Sequence, residues 1–114
     1  MAKILIVDDE KDIRNTIKTI LEIEGHETDE AEKGEQAIQK TRQKKYDLIL
    51  MDFFMPGISG LETIKKIKPQ TKKTKIIFLT VAEFRTQGIT KLKKIGVDDY
   101  IKKPFNPQTL TKKI

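Results

Sequence analysis

Residues 3–10 read Lys3-Ile4-Leu5-Ile6-Val7-Asp8-Asp9-Glu10, four consecutive apolar residues running straight into acids. A strand with one wet face alternates apolar and polar side chains. An unbroken apolar run belongs to a strand covered on both sides, in the middle of a sheet flanked by helices. The pattern recurs: Leu48-Ile49-Leu50-Met51 ends on Asp52, and Ile76-Ile77-Phe78-Leu79 ends on Thr80. A weaker run, Asp99-Tyr100-Ile101-Lys102, leads into Lys103 and Pro104.

Between these runs the period changes. Ile13, Ile17, Ile20, Leu21 and Ile23 recur at helical spacing over about 10–24, and Gly25 ends the pattern. Residues 26–31 form a mostly polar strand suited to a sheet edge. A weakly apolar helix over 34–44 carries Ala37 and Ile38, and Pro56 and Gly57 keep 53–57 a loop. A helix over about 59–68 turns Leu61, Ile64 and Ile67 to one side before Pro69 closes it. The run ending at Thr80 is followed by a helix of undefined start that ends near Gly96, with Ile89, Leu92 and Ile95 inward. Pro107 opens a last helix containing Leu110 and Ile114.

Strand and helix alternate five times, which gives a doubly wound α/β fold with a five-stranded parallel sheet and helices on both faces. The order 2-1-3-4-5 buries the apolar first, third and fourth strands and leaves the polar second at an edge. It also makes a switch point between the first and third. Ligands in such sheets bind beyond the carboxyl ends of the strands, where Asp8, Asp9, Asp52, Thr80 and Lys103 all fall.

The chain has 114 residues and no cysteine, enough for one domain that buries roughly two thirds of its unfolded surface without a disulfide or metal staple. No apolar run approaches the roughly 20 residues needed to span a bilayer, so the reading is a soluble cytoplasmic protein with no membrane role. The last helix is short; either it is unusually so, or the sequence is the amino-terminal piece of a longer protein. The net charge of +6 is uneven: residues 1–64 carry 9 Lys/Arg against 14 Asp/Glu, and residues 65–114 carry 14 against 3. Those lysines fall singly and in pairs, with no aromatic side chains interleaved for base stacking, which favours a solvated surface over a nucleic-acid interface.

Each singled-out residue also has a plain structural explanation. An acid where a strand turns into a helix can cap it, but one cap needs one acid, and adjacent like charges repel; a hard divalent cation explains two. If the first and third strands are neighbours, Asp52 ends about 5 Å from the pair. Thr80 suits a strand as a β-branched residue, and Tyr100 suits a packed edge. Most lysines are merely solvated, yet Lys103 precedes Pro104, and a cis bond there would hold the ammonium towards the sheet end. His26 reads as a surface residue without a partner for metal or acid–base work. Gly57 and Gly60 fit no GxGxxG or Walker spacing, so no nucleotide site is expected. Acid pair, acid, hydroxyl and amine, in that order, are the parts of a magnesium-dependent phosphoryl-accepting site.

Together, ILIVDDE at 4–10, DLILMDFFMPGISGLE at 47–62, IIFLT at 76–80 and GVDDYIKKPF at 96–105 resemble the receiver domain of two-component response regulators, of the chemotaxis and sporulation type. The resemblance covers nearly the whole chain, as a single receiver domain over 1–114 of flavodoxin-like fold. It implies that Asp52 accepts a phosphoryl group from a sensor histidine kinase or histidine phosphotransfer protein. Mg2+ would be bound by Asp9, Asp52 and the backbone carbonyl of Phe54, with Asp8 acting through a water. Thr80 and Lys103 would bind phosphoryl oxygens, and Tyr100 would turn inward to remodel the face made by the fourth helix, fifth strand and fifth helix. That face would signal to an effector protein or a linked output domain, or pair two phosphorylated copies. Phosphotransfer and slow self-hydrolysis make it a switch with catalytic parts rather than a conventional enzyme.

The sequence departs from the family pattern in places. Val81 stands where Ala or Gly is usual, and Ser59 where an acid is common. Phe54 and Ala82 offer no side chain to hold a hydrolytic water, which implies a long-lived phosphoryl group. The competing reading is a pseudo-receiver that docks partners without phosphorylation; retention of the three acids, hydroxyl and amine argues against it.

Overall fold

The computed structural model describes residues 1–114, the side chain of Gln70 excepted. Five strands alternate with five helices: β1 (Lys3–Val7), α1 (Lys11–Ile23), β2 (Glu27–Ala31), α2 (Gly34–Gln43), β3 (Leu48–Asp52), α3 (Gly60–Ile67), β4 (Lys75–Thr80), α4 (Thr86–Lys94), β5 (Asp99–Lys102) and α5 (Pro107–Lys113). All pairings are parallel, in the order β2-β1-β3-β4-β5. The unbroken apolar runs do occupy the covered positions: all five residues of β3 are buried, as are Ile4 to Val7 and Ile76 to Thr80.

Strand alternation divides the interior into two cores. Leu5, Val7, Ile49, Met51, Ile76 and Phe78 pack with Ala37 and Ile38 of α2, Ile64 and Ile67 of α3 and Leu92 of α4. Ile4, Ile6, Leu48, Leu50, Ile77, Leu79 and Ile101 pack on the other face with Ile17 and Leu21 of α1 and Leu110 of α5. Each such side chain contributes about 1.5–3 kcal/mol when fully buried. Leu110 thus anchors the seven-residue α5 to the sheet, and Asn106 caps that helix by accepting from the Thr109 amide.

Some sequence expectations are corrected. Ile23 lies outside the buried stripe, 79% exposed, because α1 ends there and Gly25 turns the chain away at φ +90°. Of the trio in α4 and its end, Leu92 is buried and Ile95 packs half-buried on the same core, whereas Ile89 is half-buried outside it. His26 is half-buried rather than a surface residue, and its Nδ1 accepts from the Ala2 amide at 2.9 Å, tying the chain start to the β2 entry. Among the described residues no helix is long and apolar enough to cross a membrane.

Candidate functional site

Successive side chains of a strand point to opposite faces, so parity beyond the last core residue decides where each site residue projects. Continuing from Ile6, Leu50 and Ile101 puts Asp8, Asp52 and Lys103 together on the α1/α5 face. Thr80 and Tyr100 have the parity of Phe78, and Tyr100 packs on the core that α2, α3 and α4 cover. The acid–base groups and the residues of the expected switch therefore lie at one end of the sheet, with Thr80 ending the strand next to the one that carries Asp52.

One carboxylate oxygen each of Asp8, Asp9 and Asp52 lie within 4.8 Å of one another. Lys103 Nζ stands 2.9 Å from Asp8 Oδ2 and 3.7 Å from Asp52 Oδ2, with its side chain only 14% exposed. The Lys103–Pro104 bond is cis, and the Lys103 amide donates to the Thr80 carbonyl at 2.7 Å, which extends the β4–β5 pairing up to the site.

The two adjacent acids are in different environments. Asp8 is fully buried and both its oxygens are engaged, Oδ1 by the Glu10 amide at 2.9 Å and Oδ2 by Lys103. Asp9 is exposed and accepts no hydrogen bond among the described residues. Neither caps α1 in the usual way: the N-cap is Glu10, without a side-chain bond, and Asp8 instead closes a short turn onto Glu10. Asp9 thus offers free oxygens and Asp52 holds its partners at longer range, the Phe54 amide at 3.3 Å and Lys103 at 3.7 Å, while Asp8 is already committed. An all-carboxylate donor set of this kind fits a hard divalent cation.

Burial pushes the Asp52 carboxyl up to about 6; Lys103 opposes this, Asp8 adds to it, the Phe54 amide at 3.3 Å opposes it, and Asp9 adds to it. A carboxylate held in a dry, acid-lined position is costly to ionise unless positive charge is supplied. Thr80 is buried, and its Oγ1 accepts from the Ala82 amide at 3.1 Å; the hydroxyl hydrogen has no acceptor among the described residues and is free to donate. Val81 is 65% exposed and, with Ile13, Lys103, Pro104 and Phe105, borders a cleft of about 350 Å3 beside α1.

Gly60 lets α3 begin against the strand that carries Asp52. A Cβ there would lie 2.8 Å from the Asp52 carbonyl oxygen and 3.2 Å from Phe53 Cα, both backbone atoms. Ser59 caps that helix, accepting from the Glu62 amide at 3.1 Å, so the residue found where an acid is common has a structural task.

Two contributors escaped the sequence reading. Arg14 donates through Nη1 to the Asp8 carbonyl at 2.6 Å and through Nε to Glu30 at 3.1 Å, fixing the end of β1; its signal was an arginine in step with the buried Ile17 and Leu21. Phe84 packs edge-to-face on Phe53 and on Tyr100, with centroids 5.5 and 5.0 Å apart.

The sequence matches the response regulator receiver domain family over residues 4–114. It is 44% identical over 116 residues to the transcriptional regulatory protein ResD of Bacillus subtilis (strain 168), covering 99% of this chain and 46% of that protein. The chain spans about half the length of the curated relatives it matches. Among solved structures, the chemotaxis response regulator CheY4 of Vibrio cholerae superposes with a TM-score of 0.91 at 36% identity, over 99% of this chain and 95% of that one. The response regulator protein TrrA of Thermotoga maritima, in complex with Mg(2+)-BeF, gives 0.84 at 42% identity, over 99% and 96%. With one family match running almost end to end and the same architecture in its solved relatives, the chain belongs to the receiver domains of two-component response regulators.

Proposed function

We propose that this receiver takes a phosphoryl group onto Asp52 from a phosphohistidine of a sensor kinase or histidine phosphotransfer protein, and signals through α4, β5 and α5. An Asp52 oxygen attacks phosphorus, the P–N bond breaks, and the departing imidazole takes up a proton; water later cleaves the acyl phosphate and restores the carboxylate. Asp9, Asp52 and the Phe54 carbonyl, with Asp8 through a water, would hold Mg2+, which would supply positive charge for the phosphoryl oxygens.

The chain's own groups do the rest. Lys103 moves from its shared position between Asp8 and Asp52 to a phosphoryl oxygen. Thr80 donates its free hydroxyl hydrogen to another. Tyr100, on the same face of the sheet as Thr80, responds and alters the surface offered to an effector or a linked output domain. The cleft beside Val81, Phe105 and α1 offers a partner apolar contact next to the site. A cytoplasmic location follows from the role of the family, and pairing of phosphorylated copies is a further consequence of a remodelled face.

The observation that carries this reading is the convergence of three carboxylates within 4.8 Å with one half-buried lysine bridging two of them. Incubation with acetyl phosphate and Mg2+ should raise the protein's mass by one phosphoryl group, and a chelator or Asp52→Asn should abolish the gain. An unmodified mass for folded, Mg2+-loaded protein would leave only a docking module.

A further inference from the structure

Phe84 lies in the loop between β4 and α4, two residues before the helix begins. Its ring stands edge-to-face on Phe53, the residue after Asp52, at 5.5 Å and 77°, and on Tyr100 at 5.0 Å and 79°. On a third side it meets α4 at Gly88, where an added Cβ would sit 3.3 Å from Phe84 Cδ1. The neighbours on either side are held by the sheet. Phe53 donates its amide to the Leu79 carbonyl at 2.8 Å and packs on the fully buried Phe78, and Tyr100 is paired in register with Phe78. Phe84 itself makes no backbone hydrogen bond to another backbone group among the described residues, so its ring contacts position it.

The loop is tied to β5 by Lys102 Nζ donating to Glu83 at 2.7 Å, and to the site through Thr80. The Ala82 amide donates to Thr80 Oγ1 at 3.1 Å. Any displacement of the Thr80 hydroxyl towards a phosphoryl oxygen must either break that bond or pull Ala82, and with it Phe84, along. A ring wedged between Phe53, Tyr100 and Gly88 cannot shift without changing its contact with all three, because packed interiors resist continuous deformation.

We infer that Phe84 is a positioning residue of the switch: it couples the Thr80 end of the site to Tyr100 and the first turn of α4. This rests on the phosphoacceptor reading and adds to it a residue that touches neither phosphoryl group nor metal. Edge-to-face aromatic pairs add to the stability their buried area gives, so losing both at once weakens the link between the loop and Tyr100.

The test uses backbone amide spectra of the whole chain with and without Mg2+ and beryllofluoride as the phosphoryl mimic, for wild type, Phe84→Ala and Phe84→Leu. In wild type, shifts should appear at 52–54, 80 and 103, and also over 86–94 and at Tyr100. In both variants the first group should persist, while the shifts over 86–94 and at Tyr100 are lost. The leucine variant keeps apolar bulk in the loop, so loss there cannot be ascribed to a collapsed core, and a retained unloaded spectrum away from the loop verifies folding. Wild-type protein without shifts at 52–54, 80 and 103 would sink the phosphoacceptor reading itself. A full wild-type response with unchanged α4 and Tyr100 shifts in both variants would overturn the role of Phe84 alone.

Discussion

Lys103 reaches across 95 residues of sequence to place its Nζ 2.9 Å from Asp8 Oδ2, a fully buried carboxylate. The pairing sets a positive charge against Asp8 at the end of β1 and leaves the lysine at 3.7 Å from Asp52, close enough to exchange partners. Removing the lysine strands two buried acids beside a third. Lys103→Met should therefore destabilise the metal-free protein by about 2–4 kcal/mol at neutral pH, read from its urea denaturation midpoint. Saturating Mg2+ should recover part of the loss, since a cation then neutralises the same carboxylates; an equal deficit with and without Mg2+ would argue against a shared charge balance.

The Asp52 carboxyl, raised by burial to about 6 from an ordinary 3.8, gives a pH dependence of definite sign. The folded state holds this proton more tightly than the unfolded chain between about pH 4 and 6. This group's contribution to stability therefore falls as pH rises through that window and stays unfavourable above it. Asp52→Asn should remove that slope and raise metal-free stability at pH 7–8 by on the order of 1–3 kcal/mol. Thermal unfolding of both proteins across pH 4–8 checks it, and a less stable asparagine variant at pH 7–8 would contradict it.

Gly60→Ala should cost about 1–3 kcal/mol, because the new methyl meets the backbone of Asp52 and Phe53, which cannot rotate aside. The same shift should slow phosphorylation by acetyl phosphate by displacing the end of β3. Parallel measurements of denaturation midpoint and initial phosphorylation rate separate the two effects; wild-type values for both would show that α3 can back away freely.

Phe54 is 58% exposed, and its ring stacks edge-to-face on Phe53 at 4.8 Å. Ala82 uses its amide on Thr80. Neither side chain has a polar group with which to orient a hydrolytic water, so phosphoryl decay should take minutes or longer, and Phe54→Asn should shorten it. Following the phosphorylated mass over time after donor removal gives the answer, and wild-type decay within a few seconds would refute the expectation.

The sheet and much of the site were legible because they follow from period and parity. Unbroken apolar runs marked β1, β3 and β4 as covered strands, and the polar 26–31 segment marked the edge; those patterns sufficed for the order 2-1-3-4-5. Parity beyond Ile6, Leu50 and Ile101 then brings Asp8, Asp52 and Lys103 together. Helix ends were less legible: Ile23 matches the helical spacing of Ile20 and Ile13, yet it faces water because α1 stops there. The unlike burial of Asp8 and Asp9 depends on the angle at which the chain leaves β1, which composition does not encode. Phe84 had no signal at all, since a loop has no period and its partners Phe53 and Tyr100 come from β3's exit and β5.

The most direct measurement is the location of the phosphoryl group. After loading with acetyl phosphate and Mg2+, borohydride reduction converts an aspartyl phosphate to homoserine, and peptide mass spectrometry identifies the altered position. Homoserine at residue 52, absent without Mg2+, is the expected result. Modification of another residue, or loading that proceeds equally without the cation, would contradict a metal-assisted acceptor at Asp52.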